Sequence, residues 1–151
     1  MMRGIKGADT QPELRVRRRM HAAGLRYRLR SRDLPGRPDV VFRRIRTAVF
    51  VHGCFWHQHP GCRYAAKPGT NAEFWAAKLR GNVDRDRRVQ AQLEQRGWTV
   101  AVVWECATDE EIGTLVERIK ATAMVKPAAG TWTTQDQAPL ADRKATVCPG
   151  A

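Results

Sequence analysis

The chain has 151 residues, with 27 Lys and Arg against 15 Asp and Glu, which gives a net charge of +12. This length predicts one domain around one core, and the charge favours a polyanionic partner; the alternative is a solvated basic surface without a role. The sequence has no apolar run that crosses a bilayer and no apolar signal segment, so we expect no membrane partner and a cytoplasmic, nucleoid-associated protein with reduced thiols.

The first predicted element is a basic helix that begins after Thr10. Thr10 is a favourable N-cap, and Glu13 completes a capping box. The helix extends to about Ala23, and Gly24 ends it in the left-handed conformation.

Three short strands are predicted next. Residues 25–30 alternate Leu or Tyr with Arg, a period of two that indicates an antiparallel strand with a basic face. A turn at 34–38 leads to a strand at 39–42, and a basic turn at 43–46 leads to an apolar strand at 47–51.

The second half of the domain is predicted to be mostly helical. A capping-box pattern at 70–73 opens a helix that Gly81 breaks, and a second helix extends from about Asn82 to Arg96. Gly97 ends this second helix.

The apolar segment 98–104 follows as a strand, which we expect at the centre of the sheet. A last helix begins at the capping pattern 108–111. The elements predict an α/β fold with a mixed central sheet flanked by helices, formed by a domain at 1–125. The composition of 126–151 indicates a disordered C-terminal tail.

The segment 52–62 carries three of the four histidines and two of the four cysteines. Cys54, His59 and Cys62 have the ligand chemistry and the spacing of a structural zinc site, and Cys106, directly after the apolar strand, is the best candidate for the fourth ligand. The alternative is that Cys54 and Cys106 are ordinary buried thiols.

Asp39 lies at the start of one short strand, beside the strand that carries His52. A carboxylate there can hold a hard divalent cation such as Mg²⁺, which assists hydrolysis of a phosphodiester. Taken alone, Asp39 is also well explained as a turn residue, and the capping box fully explains Glu13.

Asp86 shares a helix face with the predicted buried stripe, so its carboxylate needs a partner. His57 is one candidate, and the pair would then give an oriented imidazole suited to general base catalysis. A surface ion pair with Arg85 or Arg87 is the alternative.

Phe55 and Trp56 stand between the proposed zinc ligands. They either belong to the core or form an apolar wedge that enters between base steps of DNA.

Several of these segments together resemble the very short patch repair endonuclease family. The resemblance extends over about 2–125 and rests on LPGRPD at 34–39, FVHGCFWH at 50–57, EFW at 73–75, NVDRDRR at 82–88, GW at 97–98 and VWEC at 103–106. It implies a restriction-endonuclease-like core and a DNA mismatch endonuclease that nicks one strand 5′ of the T in a T:G mismatch, which arises when 5-methylcytosine deaminates.

The resemblance also implies roles for the catalytic residues. Asp39 would hold Mg²⁺ together with the backbone carbonyl of Val51, and His52 would act through water at that metal. His57, paired with Asp86, would activate the attacking water. Glu13 resembles the acidic residue of the first helix that reaches toward the water shell of the metal.

For DNA and zinc, the resemblance assigns Phe55, Trp56 and Met2 to the intercalating wedge. It assigns the structural Zn²⁺ to Cys54, His59, Cys62 and Cys106. The sequence departs from many members at two points, with Val51 where Thr is common and Pro60-Gly61 as the spacer before Cys62.

The expected partner is double-stranded DNA with a T:G mismatch, bound by a monomer, with a functional link to a cytosine-5 methyltransferase and to mismatch-repair proteins. Two other functions remain open on the sequence. One is a zinc-containing restriction-type nuclease that cleaves homoduplex DNA, and the other is a zinc-stapled DNA-binding module without catalysis.

Overall fold

A computed structural model describes residues 9–125, and these residues form three α-helices and four strands. The helices are α1 (Gln11–Ala22), α2 (Ala72–Gln95) and α3 (Asp109–Met124), and the strands are β1 (Arg28–Leu29), β2 (Val40–Phe42), β3 (Thr47–His52) and β4 (Thr99–Trp104). Short 3-10 turns lie at Arg43–Ile45 and Arg63–Ala65. No helix within 9–125 is both long and apolar enough to cross a membrane.

The four strands form one mixed sheet in the order β1-β2-β3-β4. β1 pairs antiparallel with β2, and β2 pairs antiparallel with β3. β3 pairs parallel with β4, with His52 opposite Trp104 at the end of both strands. The predicted α/β fold with a mixed sheet is therefore confirmed.

The sheet separates two apolar cores. Helices α1 and α3 cover one face, where Met20, Val49 and Ile112 are buried. Helix α2 covers the other face, where Leu93 packs near Val41. The C-terminal ends of β3 and β4 lie side by side, and they carry residues of the site described below.

The expectation that the strand at 98–104 is central was wrong, because β4 forms an edge of the sheet in the described part of the chain. The apolar run has a different cause. Ala101 and Val103 face the core shared with α1 and α3, while Val100 and Val102 face the core under α2. A strand covered on both faces is apolar throughout, wherever it lies in the sheet.

The predicted break at Gly81 was also wrong, because α2 is continuous over 24 residues. An interior glycine costs a helix only about 1 kcal/mol relative to alanine. Gly81 is exposed, and buried Leu79 and Leu93 anchor the helix on both sides of it. The N-cap is Asn71, in the left-handed conformation and without a side-chain cap bond, so the predicted capping box at 70–73 is absent.

The other predicted helix ends are confirmed. Thr10 caps α1, and Gly24 follows the helix with a φ of 75°. Thr108 and Glu111 form the reciprocal capping box of α3.

The strand predicted at 25–30 is shorter than expected, because only Arg28 and Leu29 pair with β2. The backbone of Leu25 instead closes α1 by donating to the Met20 carbonyl. Tyr27 packs edge-on against Phe42, with the ring centroids 6.0 Å apart.

Candidate active site and metal centre

Five predicted catalytic residues line one open cleft of about 860 Å³. They come from five different parts of the fold, which meet at one end of the sheet. The residues are Glu13 of α1, Asp39 before β2, His52 at the end of β3, His57 of the following loop and Asp86 of α2.

Asp39 is held at the mouth of the sheet by the neighbouring strand. The backbone N–H of Val51 donates to its Oδ2 over 2.7 Å. Burial raises the pKa of the Asp39 carboxyl, and the nearby Glu13 raises it further, while the Val51 N–H, Arg17 and Arg30 lower it. A bound cation would favour the charged form of such a carboxyl.

His57 and Asp86 form a direct pair, although 29 positions separate them in the sequence. The distance from His57 Nδ1 to Asp86 Oδ2 is 2.5 Å, and both side chains are largely buried. Asp86 therefore has the predicted imidazole partner, and the described salt bridges include none between it and Arg85 or Arg87. A carboxylate at one ring nitrogen fixes the orientation of an imidazole.

His52 lies parallel to His57, with the ring centroids 3.9 Å apart and the planes 8° apart. Its side chain is buried, and burial together with repulsion from His57 lowers the pKa of His52 to about 4, against the opposing effect of Asp86. His52 is therefore neutral near pH 7.

Glu13 lines the cleft, but the reciprocal capping box predicted for α1 is not formed, because its carboxylate accepts from the Thr10 hydroxyl rather than from the Thr10 backbone N–H. One carboxylate oxygen accepts from Thr10 Oγ1 over 2.9 Å, and the other accepts from the Asp9 N–H and from Arg17 Nη2. These three hydrogen bonds fix the Glu13 carboxylate in the wall of the cleft. Arg17 is itself buried and pairs with Asp9 as well.

The four predicted zinc ligands converge, with one ligand atom from each lying within 4.8 Å of the others. His59 Nδ1 lies 3.5 Å from Cys54 Sγ and 3.3 Å from Cys106 Sγ, and Cys62 Sγ lies 4.0 Å from Cys106 Sγ. A tetrahedral zinc site has S–N edges of about 3.6 Å and S–S edges of about 3.8 Å. The cluster has the size and the donor set for a zinc ion.

Burial also favours a metal at this cluster. Cys54 is fully buried, and burial raises the pKa of its thiol to about 11. A thiolate at that depth needs a cation beside it. The alternative that Cys54 and Cys106 are unrelated buried thiols does not fit their convergence with His59 and Cys62.

Two residues, one at the end of β4 and one in the following turn, connect the Cys₃His cluster to the predicted catalytic residues. The Trp104 ring stacks on His59 at 4.2 Å and presents an edge contact to His52 at 5.5 Å. Glu105 accepts a hydrogen bond from the Cys54 N–H through Oε1, and its own N–H donates to the His52 carbonyl. The turn at 52–54 is therefore held from both sides.

The loop that contains the zinc ligands also carries an aromatic cluster. Phe55 and Trp56 are half-buried and pack on Trp75 of α2, at 5.7 Å and 6.1 Å. Phe74 is 61% exposed beside Trp75, and Lys78 Nζ lies 5.5–5.8 Å from the Trp56, Phe74 and Trp75 rings. Phe55 and Trp56 thus belong to a surface cluster separate from the two cores.

Sequence reasoning missed Glu105, Phe74 and Lys78 as neighbours of the site. Glu105 precedes a proposed zinc ligand and Phe74 precedes a tryptophan, so adjacency to ligand and aromatic motifs was the available signal. Met2, the third predicted DNA contact, and the tail 126–151 lie outside the described residues.

Comparisons with known proteins point to one family. A family model described as DNA mismatch endonuclease Vsr matches residues 1–63. The chain is 45% identical over 106 residues to the DNA mismatch endonuclease Vsr of Escherichia coli, which covers 70% of this chain and 67% of the relative.

Two further relatives are named as nicking enzymes. Type II nicking enzyme V.XorIIP of Xanthomonas oryzae pv. oryzae is 43% identical over 120 residues, covering 80% of this chain and 87% of the relative. Type II nicking enzyme V.NmeAIP of Neisseria meningitidis is 37% identical over 126 residues, covering 80% and 89%.

Proposed function

The chain belongs to the Vsr family of DNA mismatch endonucleases, and from this premise we propose that it nicks one strand of duplex DNA 5′ of the T in a T:G mismatch by Mg²⁺-assisted hydrolysis. The observation that carries the proposal is the convergence of five acid–base residues in one cleft. Residues of the adjoining loop contribute to the Cys₃His cluster and to the aromatic surface. DNA is the partner, in agreement with the net charge of +12.

Asp39 and the backbone carbonyl of Val51 would hold Mg²⁺. Both offer oxygen ligands, which Mg²⁺ prefers, and a site with one carboxylate leaves positions for several waters. Both residues line the cleft, and the pKa of Asp39 is raised in a way that a cation would reverse. When bound, Mg²⁺ would neutralise charge that builds on the scissile phosphate.

His57 would act as the general base that takes a proton from the attacking water. Its Nδ1 pairs with Asp86, which leaves Nε2 as the basic atom and stabilises the imidazolium that forms. This assignment requires the water to approach from the cleft side of His57, between the imidazole and the phosphate.

His52 and Glu13 would orient water in the cleft. His52 is neutral near pH 7, so one ring nitrogen can donate a hydrogen bond and the other can accept one. Glu13 is fixed by its contacts with Thr10 and Arg17, and it would direct one oxygen at the water shell near Asp39.

Phe55 and Trp56 would form the wedge that enters the DNA beside the mismatch. A T:G pair is easier to unstack than a matched pair, and apolar side chains that insert between base steps widen the groove at that point. The packing on Trp75 supports both side chains from behind. Zn²⁺ at Cys54, His59, Cys62 and Cys106 would keep this loop rigid.

The chemistry of the lesion suggests the wider context. A T:G pair forms when 5-methylcytosine loses its amino group, so the enzyme would act where a cytosine-5 methyltransferase modifies the DNA and alongside mismatch-repair proteins. One mismatch has no two-fold symmetry, and we propose that a monomer acts on it.

A nicking assay tests the proposal. Purified protein is incubated with Mg²⁺ and three labelled duplexes that differ at one pair: T:G, T:A and 5-methylcytosine:G. We expect a single break 5′ of the mismatched T, only in the first duplex, and no break when EDTA replaces Mg²⁺. Equal cleavage of the matched duplexes would refute mismatch recognition, and binding without any break would refute catalysis.

The names of two relatives as Type II nicking enzymes favour one second candidate, a nickase that acts within a restriction site without any mismatch. The two matched duplexes separate the candidates, because a nickase of that kind cleaves them and the proposed enzyme does not.

A further inference from the structure

We propose that Arg30 binds a phosphate of the nicked strand beside the Mg²⁺ position, and that Asp9 holds its guanidinium in place for this contact. This role rests on the proposed function, because it takes duplex DNA as the ligand of the cleft. Arg30 lines the cleft together with Asp39, and its side chain is 44% exposed. The residues discussed above would hold Mg²⁺, accept a proton or orient water, and none of them is assigned to the phosphate itself.

The end of β1 brings Arg30 to the level of the proposed Mg²⁺ ligand. In the antiparallel pair of β1 and β2, Leu29 lies opposite Val40. The same register continued by one residue brings Arg30 opposite Asp39. The φ of Arg30 is 46°, a left-handed value outside the strand region, so the chain leaves β1 at this residue. The first strand therefore ends in an arginine at the edge of the cleft.

An ion pair with Asp9 orients the guanidinium. Arg30 Nη2 and Arg17 Nη1 each lie 2.5 Å from Asp9 Oδ1. The Arg17 side chain is only 8% exposed and also pairs with Glu13, over 2.9 Å. Asp9 thus has a buried cation as its partner and does not need Arg30 for neutralisation. A guanidinium has five N–H donors, so the pair with Asp9 leaves donors for a phosphate.

Arg30 also brings positive charge to the Mg²⁺ ligand. Burial raises the pKa of Asp39, and Arg17 and Arg30 are two cations that lower it. Of these two, Arg30 lines the cleft and Arg17 does not. A phosphodiester in the cleft would be repelled by the acidic residues that line it, which are Glu13, Asp39, Asp86 and Glu105. A guanidinium beside Asp39 offsets this repulsion, and its planar fork can orient the phosphate through two parallel hydrogen bonds.

The contact is tested by DNA binding alone, without Mg²⁺. Each of five T:G duplexes carries one methylphosphonate, which removes the charge of one phosphate of the strand that contains the T. The substitutions lie at the phosphate 5′ of the T and at two phosphates on either side. Fluorescence anisotropy gives the affinity of the full chain for each duplex and for the unmodified one. We expect a loss of affinity at the phosphate that Arg30 binds.

Two matched variants identify this phosphate. Arg30→Gln should bind the unmodified duplex more weakly and should no longer respond to the methylphosphonate at one position, while its response at the other positions stays that of the parent. Arg28→Gln removes the same charge from an exposed residue of β1 that does not line the cleft, and it should keep the parental response at every position. An unchanged response in Arg30→Gln, or the same loss of response in Arg28→Gln, would overturn the assignment.

The salt dependence of binding gives the expected magnitude. Loss of one phosphate contact should reduce the slope of log affinity against log salt by about 0.9, which weakens binding about eightfold at about 0.1 M salt. Arg30→Lys keeps the charge and should restore the slope. Thermal unfolding of Arg30→Gln should match that of the parent, because Asp9 retains Arg17. A parental salt slope in Arg30→Gln would contradict the contact.

Failure of this contact and failure of the proposed function give different results. A protein that shows the Arg30-dependent phosphate but nicks no duplex would refute the proposed function and leave the contact in place. An Arg30→Gln variant that binds every duplex like the parent, while the parent nicks the T:G duplex, would overturn the contact and leave the proposed function standing.

Discussion

The pair formed by His57 and Asp86 makes the sharpest prediction about the chemistry. If Asp86 acts only by orienting His57 and stabilising its imidazolium, the two residues work as a unit, and their substitutions are strongly non-additive. The direct contact of 2.5 Å between Nδ1 and Oδ2 is the structural basis of this expectation. His57→Gln and Asp86→Asn keep the approximate shape of each side chain and remove the base or the charge.

The expected loss of nicking rate follows from the proposed roles of His57 and Asp86. Loss of a general base slows a reaction by roughly 10²–10⁴-fold, or about 3–5 kcal/mol of transition-state stabilisation. His57→Gln should fall within this range. Asp86→Asn should cost roughly 10²–10⁴-fold, since the imidazole remains but loses its orientation and charge partner. The double variant should be no slower than His57→Gln alone.

The assay is single-turnover nicking of the T:G duplex at saturating enzyme, which isolates chemistry from product release. Binding of the same duplex without Mg²⁺ is the control, and it should be unchanged because neither residue belongs to the aromatic cluster. If the double variant were slower than His57→Gln by the full factor of Asp86→Asn, the two residues would act independently, and the account of the pair would be wrong.

Further predictions concern the metals, the pH dependence and the turn at 52–54. Asp39→Asn should reduce Mg²⁺-dependent nicking by roughly a hundredfold or more while T:G duplex binding measured by anisotropy persists; nicking at the parental rate would refute the Mg²⁺ assignment. Cys106→Ser should lower both the bound zinc and the melting temperature, and an unchanged melting temperature in a zinc-free variant would argue against a structural role. Because burial holds the pKa of His52 at about 4 rather than 6.5, only the unfolded chain binds this proton between these pH values. The free energy of unfolding should therefore fall by about 3 kcal/mol from this group as the pH drops from 6.5 to 4, and urea titrations in which His52→Asn shows the same fall would contradict this origin. Glu105→Gln retains an acceptor for the Cys54 N–H and should have the free energy of unfolding of the parent, whereas Glu105→Ala should lower that free energy by about 1 kcal/mol. An equal decrease in both variants would mean that the charge of Glu105, and not this hydrogen bond, stabilises the turn.

Local signals predicted much of the fold because they act over a few residues. The capping contacts at Thr10 and Thr108 and the left-handed turn at Gly24 depend on neighbours in the chain, and all three are present. The break at Gly81 was wrong because the burial of Leu79 and Leu93 outweighs one unfavourable residue. That balance depends on tertiary packing, which a local pattern does not contain.

The position of β4 shows the same limit in the sheet. The apolar sequence of β4 reflects burial of both faces of the strand. It does not indicate whether another strand pairs with each of its edges. At the site, residue types and spacing predicted the cysteines and histidine that converge in the Cys₃His cluster, and the acidic and imidazole groups that line the cleft. The contacts of Glu105 with Cys54 and His52 depend on the parallel register of β3 and β4, which no short motif encodes.

The place of Cys106 in the chain has a consequence for how the enzyme matures. Three sulfur and nitrogen donors of the cluster lie within nine residues, but the last one follows β4, 44 residues after Cys62. A nascent chain that has emerged only as far as the loop offers an incomplete set of donors, and closure of the tetrahedron requires that β4 has already docked beside β3. If the cluster holds Zn²⁺ as proposed, tight capture of the ion would mark the completion of the sheet, and the loop that carries His57 and Trp56 would become rigid only in molecules that have finished folding.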